Sequence, residues 1–207
     1  RLGWFRPVHC KSIEAQEVRA VLTARKLVQS KLLDVENSLR GILRGFGLKV
    51  GRTTRRSYAG RIQELVTGHP NLEVLGASLL SVRTVLLREF SDLEKRVRLM
   101  ARADPKAKLL MSTPAVGPIV ALTYASAIDD PARFKSAKQA GPHFGLTPKK
   151  YQSGETDRSG RISKIGDAAV REAKDAGRAA IRLHRELHGA DGSALQAITL
   201  DHAMRQA

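Results

Sequence analysis

The strongest limit on what this chain can become is a long run from Ser12 to Phe46, without a proline, in which apolar side chains return every three, four or five positions. Ile13, Val18, Val21, Leu22, Leu27, Val28, Leu32, Val35, Leu39, Ile42, Leu43 and Phe46 make the pattern. Ser12 reads as its N-cap, with Glu14 and Glu17 in the first turns, where the helix dipole favours carboxylates. Gly45 and Gly47 supply the stop. A helix of about 34 residues runs on the order of 50 Å, beyond an ordinary globular helix and suited to a coiled-coil arm. A second pattern runs from Leu72 to about Met100 through Leu75, Leu79, Val82, Leu86, Phe90, Leu93 and Val97. Between them lie a basic loop (48–56) and a short helix over Ser57–Val66, broken by Gly68, Pro70 and Asn71. Two long helices joined compactly fold back on one another, which predicts an antiparallel helical arm over 12–101. The plainer alternative is an ordinary helical bundle.

Charge narrows the partner. Lys and Arg number 36 against 20 Asp and Glu, a net +16 in 207 residues, which points to a polyanion such as nucleic acid. Aromatics are only 4%, which argues against base-stacking platforms of the RRM or OB kind. The single cysteine, Cys10, has no internal disulfide partner, and no Cys/His cluster has zinc spacing. The longest mostly apolar stretch, Pro118–Ile128, is far short of the ~20 residues of a membrane span. No signal peptide opens the chain, so the expectation is a cytoplasmic protein without membrane contact. The first residue is Arg1 and not Met, which reads as a fragment.

Residues 1–11 form a short basic lead with Trp4, Phe5 and Pro7, expected to lie against another element. Asp104-Pro105 marks a boundary, beyond which Gly, Pro and small residues become frequent. Leu109 to Ala121 reads as helix, tight turn, helix, resembling a helix-hairpin-helix. The unpaired N–H groups behind Gly117 would suit a DNA phosphate, and an ordinary helix–helix turn fits equally. Asp129, Asp130 and Pro131 are expected to start another helix through about Phe144. The adjacent carboxylates read as caps in preference to metal ligands, having no third ligand nearby.

The chemistry concentrates in residues 145–167. Five cations (Lys149, Lys150, Arg158, Arg161, Lys164), four glycines and three serines occupy 23 positions, predicting a surface loop or short hairpin before a helix near Asp167. A serine followed by glycine among arginines suits phosphoryl transfer: the hydroxyl attacks phosphorus, glycine lets the backbone approach, and guanidinium groups stabilise phosphate charge. The same residues also suit passive phosphate gripping, which is the commoner use of such a composition.

The order Gly145-Leu146-Thr147-Pro148, Ser153-Gly154, Gly160-Arg161-Ile162-Ser163-Lys164-x-Gly166-Asp167 and Arg171 resembles the C-terminal signature of the Piv-related DEDD insertion-sequence transposases, a family of bridge-RNA-guided DNA recombinases. Thr113-Pro114-Ala115-Val116-Gly117-Pro118 and Asp130-Pro131-Ala132-Arg133-Phe134-Lys135-Ser136-Ala137 resemble that family's helix-hairpin-helix region. Trp4-Phe5-Arg6-Pro7-Val8 and Lys11-Ser12-x-Glu14-Ala15-Gln16-Glu17 resemble the start of its coiled coil.

The resemblance covers residues 1 to about 173 and implies a mainly α fold: a long antiparallel coiled-coil arm, then a small helical serine domain over 109–173 with a Gly/Ser/Arg loop. It implies Ser153 as the nucleophile, with Ser159 and Ser163 as internal alternatives. Lys149, Lys150, Arg158, Arg161, Lys164 and Gly117 are the implied DNA or phosphate contacts. The family's N-terminal RuvC-like domain, with four metal-binding acidic residues, is expected to lie outside these residues, so no cofactor is expected within them and Mg2+ only together with that domain. DNA is the expected partner, with guide RNA at Arg52, Arg55 and Arg56 and a homo-oligomer formed through the coiled coil; a solvated basic loop is the equal alternative for those arginines. Residues 174–207 are expected to form a divergent tail, as a frameshift or rearranged gene end would give. A helix runs to about 188, and His184, His188 and His202 lie on the surface. The competing expectation is a non-catalytic nucleic-acid-binding remnant of a transposase; a purely structural coiled coil is a third.

Overall fold

The computed structural model describes residues 8–113, 115–134, 139–153 and 156–173. Its elements, in chain order, are α1 (Ile13–Gly45), α2 (Tyr58–Val66), α3 (Pro70–Ala103), α4 (Pro105–Met111), α5 (Pro118–Ile128), α6 (Ala140–His143), β1 (Pro148–Ser153) and β2 (Thr156–Ile162). A 3-10 turn at Pro131–Arg133 stands between α5 and α6, and residues 168–173 are helical again. Among the described residues no helix is long and apolar enough to cross a membrane.

Both long helices form where their periodicity predicts. Ser12 Oγ accepts from the Ala15 N–H, as an N-cap should. Pro70 is the first residue of α3 and not a breaker, since a proline at N1 gives up only an N–H that a helix start leaves unpaired. The chain divides into two compact units, Thr23–Arg96 and the combination of Arg1–Leu22 with Val97–Ala207.

Within the first unit α1 and α3 run antiparallel. Arg25 pairs with Glu94, and eleven residues further along α1 Glu36 pairs with Arg83, eleven residues back along α3. Leu39 and Leu43 of α1, Tyr58, Ile62 and Val66 of α2, and Leu72 and Leu80 of α3 share one buried cluster with Val50. Arg83 is 4% exposed: its Nε donates to Glu36 Oε1 at 2.7 Å, its Nη2 to the Arg55 carbonyl at 3.1 Å, and it stacks 4.6 Å from the Tyr58 ring centroid. Arg40 donates to the Gly51 carbonyl and Thr53 Oγ1. The basic loop is thereby fastened to the helices. The Arg55 guanidinium lies over Phe90, while Arg52 and Arg56 are exposed.

Gly41 lies inside α1 with open space around the position of its missing Cβ. Gly41→Ala removes an unfolded-state entropy cost with no clash, so it is expected to stabilise this unit by about 0.5–1 kcal/mol in a denaturant titration.

The second unit is built largely on alanine. Val97 and Ala101 of α3, Ala107 of α4, and Ala121 and Leu122 of α5 form one cluster, flanked by Val18, Val21 and Leu22 of α1. Small side chains let helices approach closely and leave little room for substitution. The α5 sequence carries no charge, and most of Ala121–Ile128 is buried, as expected of a helix apolar all round. Ala127, Ile128, Ala140, Phe144 and Val170 make the next cluster, which seats the base of the hairpin. α4 and α5 are joined over residues 112–117, of which Pro114 lies outside the described residues.

The helix expected from Asp129 to Phe144 does not form. Asp129 closes α5 at φ +63, Asp130 caps only the 3-10 turn by accepting from the Ala132 N–H, and Phe134 is extended. Pro142, well inside the expected span, also works against one continuous helix.

Candidate functional site

The Gly- and Ser-rich segment folds as an antiparallel hairpin. Pro148 pairs with Ile162, then the register shifts by one residue, and Lys150 pairs with Ser159, Tyr151 with Arg158, Gln152 with Asp157 and Ser153 with Thr156. Lys149 therefore faces the Gly160–Arg161 stretch, where β2 carries an extra residue. Side chains alternate across a strand, so the register sorts the expected contacts into two sets. Lys149, Tyr151 and Ser153 share one face with Arg158; Lys150 and Gln152 share the other with Ser159 and Asp157. Every residue of β1 is exposed on both faces. Ser153 ends its strand in solvent, and its hydroxyl makes no hydrogen bond to another described residue. Ser159 is exposed on the opposite face, while Ser163 is half-buried, its N–H donating to the Thr147 carbonyl.

The hairpin's base is fixed by backbone contact. Lys164 (φ +57) donates its N–H to the Gly145 carbonyl, and Gly145 (φ +64) and Gly166 (φ +110) adopt left-handed geometry beside it. A Cβ on Gly145 would meet the Ile165 carbonyl oxygen at 1.9 Å, and one on Gly166 the His143 carbonyl oxygen at 2.4 Å. Arg171 Nη1 donates to the carbonyls of Phe144 and Gly166, clamping the two segments together. Asp167 accepts from the Ala169 N–H, starting the helical turn expected there, and pairs with Arg19 of α1. Burial works to raise the Asp167 pKa, but the Arg19 hydrogen bond and charge and the N–H groups of Ala169 and Val170 outweigh it and hold the carboxyl low.

Gly117 belongs to another element: it is the extended N-cap of α5, with Pro118 at the first helical position. Since proline has no N–H, the phosphate cradle expected there has one donor fewer.

A tether that no local pattern announces joins the chain's opening residues to α5. Lys11 Nζ donates to the carbonyls of Ser126 and Ala127 at 2.9 and 2.7 Å, placing a cation on the C-terminal end of α5. Burial first, then the Arg19 charge, pull the Lys11 pKa down. Asp129 accepts from the Ser12 N–H and hydroxyl at 2.8 and 2.7 Å and lies 2.8 Å from His9 Nε2. Burial would raise its pKa, yet the Ser12 and His9 contacts bring it down to about 2 from an ordinary 3.8. A folded-state pKa below the unfolded one means that the unfolded chain binds more protons between pH 4 and 2, so this contribution is full above pH 4 and fades as pH falls through that window. Asp129→Asn is expected to cost about 1–3 kcal/mol at neutral pH and to lose the part of the acid dependence that Asp129 supplies, as read from melting temperatures across pH. Asp129 thus ends α5 and does not begin the helix expected after it. Among the described residues no group of three His, Cys, Asp or Glu side chains is placed to hold a metal ion.

The lead residues Trp4, Phe5 and Pro7 and the tail with His184, His188 and His202 lie outside the described residues, as do Gly154 and Glu155.

Comparison with known proteins agrees with the signature. Residues 107–187 match the family described as Transposase IS116/IS110/IS902 family, and the match passes the position near 173 where the resemblance was expected to end. The chain is 28% identical over 178 residues to a Pseudomonas aeruginosa protein named "Probable family 20 transposase", covering 81% of this chain and 51% of that one. It is 29% identical over 172 residues to the transposase for insertion sequence element IS1111A of Coxiella burnetii, covering 81% and 47%. The chain thus spans about half the length of the curated relatives it matches.

Proposed function

We propose that this chain is the helical arm and strand-transfer part of an insertion-sequence transposase, binding DNA and supplying Ser153 as the nucleophile. The observation that carries the reading is the exposed Ser153 at the end of β1, on one hairpin face with Lys149 and Arg158. The transposase names of its relatives and the family match support the substrate class.

In this reading Ser153 Oγ bonds to a DNA phosphorus while the bond from that phosphorus to the leaving strand's oxygen breaks. The serine proton passes to water, and the leaving oxygen takes a proton up. A hydroxyl of the new partner strand then attacks that phosphorus, giving its proton to water as Ser153 Oγ leaves and takes one up, so the phosphorus keeps two ester bonds at every stage. Lys149 and Arg158 neutralise the phosphate as charge builds on its oxygens; Lys150, Arg161 and Lys164 hold neighbouring phosphates. The turn before α5, at Gly117, contributes backbone contacts to the duplex. In this reading Mg2+ would be held by an acidic RuvC-like domain, and strand transfer would need that domain.

Pairing of two copies through the arm is part of the proposal, as is guide-RNA contact at Arg52, Arg55 and Arg56. The outer face of α3 supports pairing: exposed Val74, Ser78, Ser81 and Val85 follow one another at alternating steps of four and three, and none is charged. The remnant reading shares the charge and the fold but predicts no covalent chemistry. A suicide DNA substrate, offered to the chain with the acidic domain supplied in cis or in trans, separates them. A protein–DNA adduct that disappears in Ser153→Ala supports the transposase. Salt-sensitive binding with no adduct supports the remnant.

A further inference from the structure

We infer that Tyr151 is a stacking residue for a nucleobase next to the phosphate that Ser153 attacks, an inference that rests on the DNA-transfer reading above. Tyrosine is scarce in this chain, and the other two are spent on packing: Tyr58 is buried beneath α1 and Tyr124 packs beside Phe144. Tyr151 is 62% exposed on a strand with no core beneath it.

Burial does not explain a large aromatic there, but its immediate surroundings fit a contact surface. A side chain at position 160 would bring its Cβ within 3.3 Å of Tyr151 Cε2, so the ring lies close over the hairpin where Gly160 leaves space. That support holds the ring in place while leaving most of it open. Tyrosine suits the task because it offers a rigid, flat surface at the cost of only two side-chain torsions.

The neighbours of Tyr151 match what a nucleotide strand presents. Arg158 is its direct cross-strand partner, and Lys149 and Ser153 flank it on the same face. Two strand residues span about 7 Å, which is about two nucleotides at about 3.4 Å of rise each along a DNA strand. An aromatic ring at that spacing from a phosphate-seeking serine, bordered by cations, has the composition of a single-strand contact: rings take bases and cations take phosphates. The base on Tyr151 must be unpaired to reach it, so the strand is frayed or bulged beside the reacting phosphate.

The test compares the full chain with Tyr151→Phe, Tyr151→Leu and Tyr151→Ala. The probe is a duplex containing one unpaired 2-aminopurine, whose fluorescence reports stacking. Wild type and Tyr151→Phe are expected to shift the fluorescence alike. Tyr151→Leu still covers Gly160 but has no ring face, so it should lose the shift, as should Tyr151→Ala, with binding about tenfold weaker. A Tyr151→Leu protein that keeps the wild-type shift and affinity overturns the inference and leaves the DNA reading standing. Wild-type protein with no salt-sensitive binding to any duplex or single strand overturns the DNA reading, and the stacking role with it. Circular dichroism of each variant checks that the helical units are intact.

Discussion

Ser153→Ala is expected to reduce covalent protein–DNA adduct, formed on a suicide substrate with the acidic domain present, by at least about 10³-fold. Binding to the same duplex should stay within about twofold of wild type, because the hydroxyl contributes one contact among many phosphate contacts. The contrast between these readouts isolates chemistry from grip. Ser159→Ala is the matched control: it lies on the opposite hairpin face, directly across from Lys150. An adduct that survives Ser153→Ala but disappears with Ser159→Ala would reassign the nucleophile and reverse which hairpin face meets DNA.

The second large effect is conformational. Gly145→Ala places a methyl 1.9 Å from the Ile165 carbonyl oxygen, at a backbone φ of +64 that alanine resists. The obstacle is backbone, so no side chain can swing aside to relieve it. The expected cost is about 3 kcal/mol or more, which should open the base of the hairpin before the helices melt. Hydrogen exchange at the Ser163 and Lys164 amides reads this directly, because their partners are the Thr147 and Gly145 carbonyls. Wild-type protection of those amides in Gly145→Ala would show that the close approach is not needed. DNA affinity and adduct yield should fall together in this variant, unlike in Ser153→Ala.

The long helices are legible in the sequence because only a helix turns three-and-four spacing, sustained over some thirty residues, into one continuous apolar face. Ser12 announces a helix start through local chemistry and performs the expected task, whereas Asp104 and Pro105, legible only as a boundary, prove to cap and open α4. The hairpin is legible as a turn-rich segment, but not which residues share a face. That depends on a single register shift between Pro148 and Lys150, and moving the pairing by one residue exchanges the faces. Composition therefore gathers Lys149, Lys150, Arg158 and Arg161 into one cationic group, whereas the strands send Lys149 and Arg158 to the Ser153 side and Lys150 to the other.

Long-range polar contacts leave even less trace. Lys11 and Ser126 are 115 positions apart, and Arg19 and Asp167 still further, so no local pattern couples them. The helix over 129–144 is absent for a related reason. By its local chemistry Asp129 begins an element, but tertiary contacts make it the end of one, turned to positive φ to reach Ser12 and His9.

The discontinuity of the second unit has a consequence for how the protein emerges from the ribosome. The Thr23–Arg96 stretch is contiguous and contains its own antiparallel partner, so it can close as soon as it is translated. Val18, Val21 and Leu22 must wait for Val97, Ala107 and Leu122 to appear, the last of these roughly a hundred codons after them. Until then they present a greasy stripe to water. A recombinant segment beginning near residue 107, where the family match starts, would never receive that stripe and should prove insoluble unless residues 8–22 are supplied with it.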